Sequence, residues 1–301
     1  MRDENSSGER FPQIQRTDIN EEQVRRFETE GEFMGLCVSL LIEAGSYVCL
    51  AGNIYSAESK SWNRDEAVLG GHLVRLYKLI DALLDQTCKH RREISFVLSR
   101  LAFECIVNLR YLIAFASDEL FTSYRNYSLQ HERKLLAQIQ ENIQNRGGEE
   151  LPIERRMLTS MEKSFRVSGM PISDEGIVKE RNWGAKNIFE RSKAVGLEQA
   201  YLAAFGGGSH SVHGNWQDLL EYHLQDVGDS AFVGEFEWHM PRPQILEAIA
   251  LHSVEAVIDF ARYLAPDTSA EFIAVLRELQ DRVVLLSRLH EEFLSQGTAN
   301  V

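Results

Sequence analysis

The sequence lacks most of the patterns by which cofactor-binding enzymes are recognised. It has no Gly-x-Gly-x-x-Gly motif, no P-loop and no series of strand-like segments, which argues against a parallel nucleotide-binding sheet. Its four cysteines form no Cys-x-x-Cys pair and lie in apolar stretches, so we interpret them as buried free thiols, not as a disulfide framework or zinc site. Only six prolines occur in 301 residues, so long helices meet few interruptions.

An excess of positive charge is also missing. The net charge is −13, and such a surface repels nucleic-acid backbones unless a local basic groove exists. Basic residues do surround Trp183, and they form either a phosphate- and base-contacting group or a solvated helix face. They are Lys179, Arg181, Lys186, Arg191 and Lys193. The stretch from Asp218 to Glu237 has six acidic residues and no lysine or arginine, and either binds a basic partner or maintains solubility.

The first sixteen residues contain no apolar segment of the kind found in secretory signals. The stretch from Phe33 to Tyr55 is long enough to span a bilayer, but Glu43 at its centre makes insertion costly. We therefore predict a buried core helix without membrane association and a cytoplasmic location.

Hydrophobic periodicity predicts an all-α fold, an up-and-down multi-helix bundle with additional helices, in which helix exceeds about 60% of residues. Residues 1–20 have no apolar period and are predicted to be a disordered tail, followed by a single helical domain at 21–301. The segment after Val227 is expected to be a short hairpin or a loop. The predicted helices cover 21–30, 32–56, 65–84, 94–115, 121–143, 153–165, 197–205, 215–224, 244–264 and 268–295.

The most apolar helix carries a polar stripe. Arg100, Glu104 and Asn108 follow one another at intervals of four residues, which places them on one face. Buried charges without partners cost several kcal/mol, so this stripe either forms an internal structural network or faces a functional cavity.

A glycine-rich segment at 206–214 is the second unusual feature. Its glycines permit close backbone approach, and His210 and His213 are able to titrate near neutral pH. With Ser209 near a helix start, the segment is suited to binding an anion, or it is a flexible joint. The His-x-x-His spacing lacks a completing partner motif, so we predict no metal site and no cofactor.

These two features resemble an uncharacterised, all-helical bacterial family known only as a domain of unknown function. The resemblance is carried by Ser-Arg-Leu-Ala-Phe-Glu-Cys-Ile-Val-Asn-Leu-Arg-Tyr-Leu at 99–112 and by Tyr-Leu…Gly-Ser-His-Ser-Val-His-Gly at 201–214, and extends over about 65–265. It implies a shared site and not a known activity. The positions that match the recurring residues of the family are Arg100, Glu104, Tyr201, Ser209 and His213.

A second, shorter motif resembles the HEPN ribonucleases, helical proteins of toxin–antitoxin and phage-defence systems. Arg125-Asn126 and His131 fit their Arg-Asn-x4-His pattern. The resemblance implies that His131 accepts a proton from a ribose 2′-OH while Arg125 stabilises the phosphorane, without a metal. An ordinary solvated helix face has the same composition.

The sequence therefore supports two hypotheses. The first is a HEPN-like, metal-independent ribonuclease of defence or toxin type, with RNA as substrate and an antitoxin or other protein as partner. The second is a non-enzymatic helical module, as a monomer or a homodimer, that binds a small ligand or partner protein in a polar cavity. The predicted catalytic residues are Glu104, His213, Arg100, Arg125 and His131, and the predicted ligand-binding residues are Asn108, Tyr201, Ser209 and His210.

Overall fold

A computed structural model describes residues 14–56, 59–173, 179–202 and 214–298. Of these residues, 71% lie in helices, and two short strands pair as an antiparallel hairpin. The prediction of an all-α fold with more than about 60% helix is confirmed. A hairpin in the segment after Val227 was one of two expectations, and its first strand begins slightly earlier, at Leu224.

Most helices begin or end at residues that the sequence marks. Asn63 and Ser117 accept backbone hydrogen bonds as N-caps, and Pro152 and Pro243 occupy first-turn positions. The elements are α1 (Glu21–Val24), α2 (Glu30–Ala51), α3 (Arg64–Cys88), α4 (Arg92–Ala114), α5 (Asp118–Ser128), α6 (Gln130–Asn145), α7 (Pro152–Ser168), a 3₁₀ turn (Trp183–Ala185), α8 (Ile188–Ala194), α9 (Glu198–Ala200), α10 (Trp216–Tyr222), β1 (Leu224–Gly228), β2 (Ala231–Gly234), α11 (Pro243–Leu264) and α12 (Ala270–Thr298).

Four helices form a closed ring around the main core. Each of α2, α3, α4 and α11 packs against two neighbours in that order, and α12 covers α2 and α11 from outside. Leu41, Leu73, Phe103 and Val257 contribute one fully buried side chain from each helix of the ring. The ring holds α4 in place, which is why its polar stripe lies at a fixed position.

Among the described residues, α2 is the one helix long and apolar enough to cross a membrane. Half of its most apolar stretch is buried inside the protein. Glu43, at 1% exposure, accepts hydrogen bonds of 2.8 and 2.7 Å from Nη1 and Nη2 of Arg282 on α12. Burial and a paired carboxylate are the features expected of a core helix.

Part of the predicted disordered tail is packed against the bundle. Thr17 donates its backbone N–H to Glu43 at 2.8 Å, and its carbonyl accepts from Arg282 at 2.6 Å. Residues 14–20 are therefore attached through a buried ion pair that sequence reading did not connect with them. Residues 1–13 lie outside the described part of the chain.

Three local predictions need correction. The helix predicted over 21–30 ends at Val24, and the helix predicted over 121–143 is divided at Leu129 into α5 and α6. Cys49 and Cys88 are exposed, whereas Cys37 and Cys105 are buried as predicted. Both exposed thiols lie near helix C-termini, where an apolar neighbourhood in sequence does not ensure burial.

The α6–α7 pair forms a satellite of the ring with its own small core. Phe165 is 1% exposed within an apolar cluster that also contains Leu136, Ile139 and Met161. The guanidinium of Arg133 lies 5.3 Å from the Phe165 ring centroid and donates to Asn126 Oδ1 at 2.8 Å. The α6–α7 pair is thereby joined to α5.

Candidate functional site

The stripe on α4 combines a pair with an unpaired donor. Arg100 Nη2 lies 2.9 Å from Glu104 Oε1, and the Arg100 guanidinium lies 5.0 Å from the ring centroid of Tyr201. The Arg100 side chain is 8% exposed, whereas that of Glu104 is 38% exposed. Arg100 Nη1 is buried without a hydrogen-bond partner among the described residues. The expected internal pair exists, but it leaves part of the stripe unsatisfied.

Glu104 and Asn108 line a cavity of ≈ 200 Å³ between α3, α4, α5 and the 3₁₀ turn. Its wall also includes His72, Arg75 and Trp183. Asn108 Oδ1 and His72 Nε2 are buried and have no hydrogen-bond partner in the described part of the chain. Unpaired buried polar atoms are uncommon in proteins, so their convergence on one cavity marks it as a candidate site.

His72 forms the wall opposite the stripe. Its Nδ1 lies 3.4 Å from Cys105 Sγ, which donates to the His72 carbonyl at 3.1 Å. Burial, followed by the charges of Arg75 and Arg191, lowers the pKa of His72 to about 4. The imidazole is therefore neutral at physiological pH. Burial also raises the pKa of Cys105 to about 12, so its thiol is protonated and a poor nucleophile.

Arg191 is buried behind the wall formed by Trp183. Its guanidinium lies 3.9 Å from the Trp183 ring centroid, and its Nε and Nη1 have no hydrogen-bond partner among the described residues. Burial lowers its pKa and the charge of Glu104 opposes that effect, which places Arg191 within electrostatic reach of the cavity. Arginine nevertheless stays cationic at neutral pH.

Local structure explains how Trp183 and Arg191 meet. Gly184 has φ of 61°, and a Cβ there would lie 2.8 Å from Leu120 Cδ1, so the turn that directs Trp183 inward requires glycine. Asn187 then starts α8 with a capping box completed by Glu190. The turn at Gly184 and the cap at Asn187 together position the Arg191 guanidinium over the indole of Trp183.

The basic group around Trp183 is thus divided. Arg191 is buried, whereas Arg181, Lys186 and Lys193 are exposed. The interpretation of the whole group as one solvated face is wrong for Arg191, because its guanidinium stacks on the indole. Trp183 itself is buried in the core, at 4% exposure.

Neither residue of the HEPN-like pair lines this cavity. Arg125, on α5, forms an ion pair with Asp65 of α3 and donates to Thr122 Oγ1 at 3.2 Å. His131 is exposed in the first turn of α6, beyond the break at Leu129. Arg125 lines a different cavity of ≈ 600 Å³, whose described wall includes Asn63 and Arg64 but not His131. Neither of these two cavities, therefore, includes both Arg125 and His131.

Ser209, His210 and His213 fall within 203–213, outside the described residues, so the shared site with Glu104 that the family resemblance implies stays a prediction. Tyr201 is in place against Arg100. Sequence reading missed His72 and Arg75 as site residues, and it singled out Arg191 only as one of the basic residues around Trp183. A signal for His72 existed, since it occupies an otherwise apolar stripe of α3, but the partners of such a residue cannot be read from one helix.

Comparison with known proteins identifies a family of unknown function. No curated protein and no solved structure matches the chain. A family model described as a family of unknown function (DUF5677) matches residues 66–231, more than half of the 301 residues. That range includes all but the first two residues of α3, and it contains every residue that lines the candidate cavity, as well as Arg191 and Tyr201. The chain belongs to the DUF5677 family.

Proposed function

We propose that the chain is a non-enzymatic binding module that holds a small anionic ligand in the ≈ 200 Å³ cavity beside α4. The observation that carries the proposal is the buried guanidinium of Arg191, which lies behind the cavity wall. Its Nε and Nη1 are unpaired within the described part of the chain. A buried donor left unpaired costs about 1–3 kcal/mol, more when charged, and an anion in the adjacent cavity would offset part of that cost through its charge.

The charge of the surroundings favours an anion. Arg75 and Arg191 are cationic, Glu104 is the one carboxylate among the described residues of the cavity wall, and His72 is neutral. Carboxylate or phosphate oxygens suit guanidinium donors. Asn108 supplies a further polar contact, and Trp183 an aromatic surface. The cavity is smaller than the roughly 300–1,000 Å³ of drug-sized sites, so we expect a compact metabolite.

The test measures thermal stabilisation of the full chain by inorganic phosphate and by a panel of small mono- and dicarboxylates. At least one should raise the melting temperature of the wild type, and Arg191→Met should abolish the shift, because a ligand that binds only the folded state stabilises it. Lys193→Met is the matched control, since it removes an exposed charge two residues away on α8. An equal shift in both variants would place the binding elsewhere.

Metal-independent RNA cleavage remains the competing prediction from the HEPN resemblance. Single-stranded RNA incubated with the protein in EDTA should then yield 2′,3′-cyclic phosphate ends. Arg125→Ala or His131→Ala should reduce the rate at least about a hundredfold. Cleavage lost in those variants but kept in Arg191→Met would favour a ribonuclease over the binding module. Absence of cleavage by the wild type removes the ribonuclease prediction.

A further inference from the structure

A second polar cluster lies at the other end of the α4 stripe. Glu93 is in the first turn of α4, Asp218 is in α10, and His223 directly follows α10. One ligand-type atom of each residue lies within 4.8 Å of the other two. His223 Nε2 is 3.4 Å from Glu93 Oε1 and 3.8 Å from Asp218 Oδ2.

Hydrogen bonding alone does not account for this arrangement. Both distances exceed the roughly 2.7–3.2 Å typical of N–H···O bonds. Asp218 is only 3% exposed, and its Oδ1 has no hydrogen-bond partner in the described part of the chain. A buried carboxylate with an unpaired oxygen, beside a second carboxylate and an imidazole, requires a compensating positive charge.

We propose that Glu93, Asp218 and His223 bind a divalent transition metal, Zn²⁺ or Mn²⁺. An imidazole nitrogen with two carboxylate oxygens is a donor set that both ions accept. Ligand atoms about 2.1 Å from a tetrahedral ion lie about 3.4 Å apart, close to the two distances from His223. Three protein ligands leave at least one coordination position for water or another small ligand.

The surroundings of the cluster are suited to holding its residues in place. Asn215 Oδ1 accepts from the Asp218 backbone N–H at 3.0 Å and fixes the start of α10. The backbone N–H of Arg92 donates to the His239 carbonyl at 3.0 Å, and Arg92 Nε donates to that of Met240 at 2.8 Å, so the chain after the hairpin is attached to the start of α4. Both ends of the site are therefore anchored before a metal arrives.

The experiment uses full-length protein without an affinity tag, stripped with EDTA and dialysed. Electron paramagnetic resonance with Mn²⁺ should give one site, and titration calorimetry with Zn²⁺ should show binding that depends on Asp218 and His223. Mn²⁺ is included because it avoids thiols, whereas Zn²⁺ is also able to bind the exposed Cys49 and Cys88. Asp218→Asn and His223→Gln should each weaken binding at least tenfold, since each removes one ligand.

Glu221→Gln is the control, because it removes a carboxylate from the same helix without touching the cluster. Asp218→Asn preserves side-chain shape, and its folding is checked by circular dichroism. If the Asp218→Asn variant does not fold, Glu93→Gln gives the same test from α4. Absence of binding at millimolar metal would overturn the proposal, as would affinity unchanged by both Asp218→Asn and His223→Gln.

Discussion

Two buried charged groups, Glu43 on α2 and Arg191 on α8, are compensated to different degrees. The carboxylate of Glu43 is compensated by Arg282 and by the backbone N–H of Thr17. Arg191, in contrast, has two side-chain nitrogens that find no hydrogen-bond partner among the described residues. Both cost desolvation free energy, but only the first recovers it within the described protein. The contrast separates a structural ion pair from a candidate ligand-binding group.

Removing Arg282 tests the structural pair. Arg282→Met should lower the free energy of unfolding by about 3–5 kcal/mol, because it leaves Glu43 buried and uncompensated. Urea denaturation at neutral pH measures the change. Glu278→Gln is the control, since its exposed pair with Arg16 should contribute little to stability. Equal small losses in both variants would show that Glu43 finds another partner.

His72 should make stability depend on pH. Its pKa is about 4 in the folded state and about 6.5 when unfolded, so the unfolded chain binds the proton first as the pH falls. The contribution of neutral His72 to the free energy of unfolding is fully present above pH ~6.5. It is lost as the pH falls toward ~4, by roughly 3 kcal/mol in total.

His72→Gln should flatten this decline in urea unfolding measured at several pH values between those limits. His131→Gln, which replaces an exposed histidine, should follow the wild type. His290 is present in all three proteins. Burial lowers the pKa of His290, but the carboxylates of Glu247 and Glu30 outweigh burial, so the pKa is raised. Parallel profiles for wild type and His72→Gln would refute the assignment of a neutral, buried His72.

At this scale the sequence identified two polar residues of the cavity wall. Glu104 and Asn108 were predicted because a polar stripe interrupts an apolar helix, which is a signal within one element. Arg191 was singled out only within the basic group around Trp183, because its burial depends on Gly184 and on a ring from the preceding turn. The Glu93, Asp218 and His223 cluster depends on contacts across more than a hundred residues, which no local period encodes.

Among the elements, α6 and α7 have the most independent packing. Their small core around Phe165 is separate from the main one. Phe165→Ala should accelerate amide hydrogen exchange in α6 and α7 while leaving α3 and α4 protected, because the lost contacts of about 3–5 kcal/mol are local.

Phe260→Ala is the counterpart in the main core, where the side chain is fully buried. It should accelerate exchange throughout the ring of α2, α3, α4 and α11. If Phe165→Ala loosened the ring to the same degree, the two clusters would form one cooperative unit.

The long helices were predictable because their apolar faces repeat over several turns. The helices α3, α4, α11 and α12 begin and end within a few residues of the predicted bounds. The break between α5 and α6 at Leu129 could not be predicted, because the apolar pattern continues across it. The backbone hydrogen bond from Arg133 N to Leu129 O also keeps a helical spacing. Sequence period alone does not register such a change of direction.

For the whole molecule, α4 is the element on which both candidate sites depend. Glu93 and Glu104 are eleven residues apart, close to three full turns, so they lie on one face about 16 Å apart along the axis. Tyr201 packs on Arg100 and Asp218 lies beside Glu93, so the chain on either side of 203–213 meets the same face of α4. The family match covers this whole arrangement.

The same match does not cover the fold that supports α4. Residues 66–231 exclude α2, α11 and α12, although α2 and α11 form half of the core ring.

A fragment restricted to 66–231 would expose the apolar faces that α3 and α4 present to Leu41 and Val257. We expect it to bind a hydrophobic dye and to melt without a cooperative transition, as followed by circular dichroism. A fragment of residues 14–298 is the control and should melt like the full chain, since it retains the ring and its cover. A cooperative melt of the shorter fragment, with native helix content per residue, would mean that α3 and α4 fold without the ring, and the sites on α4 would then be independent of α2 and α11.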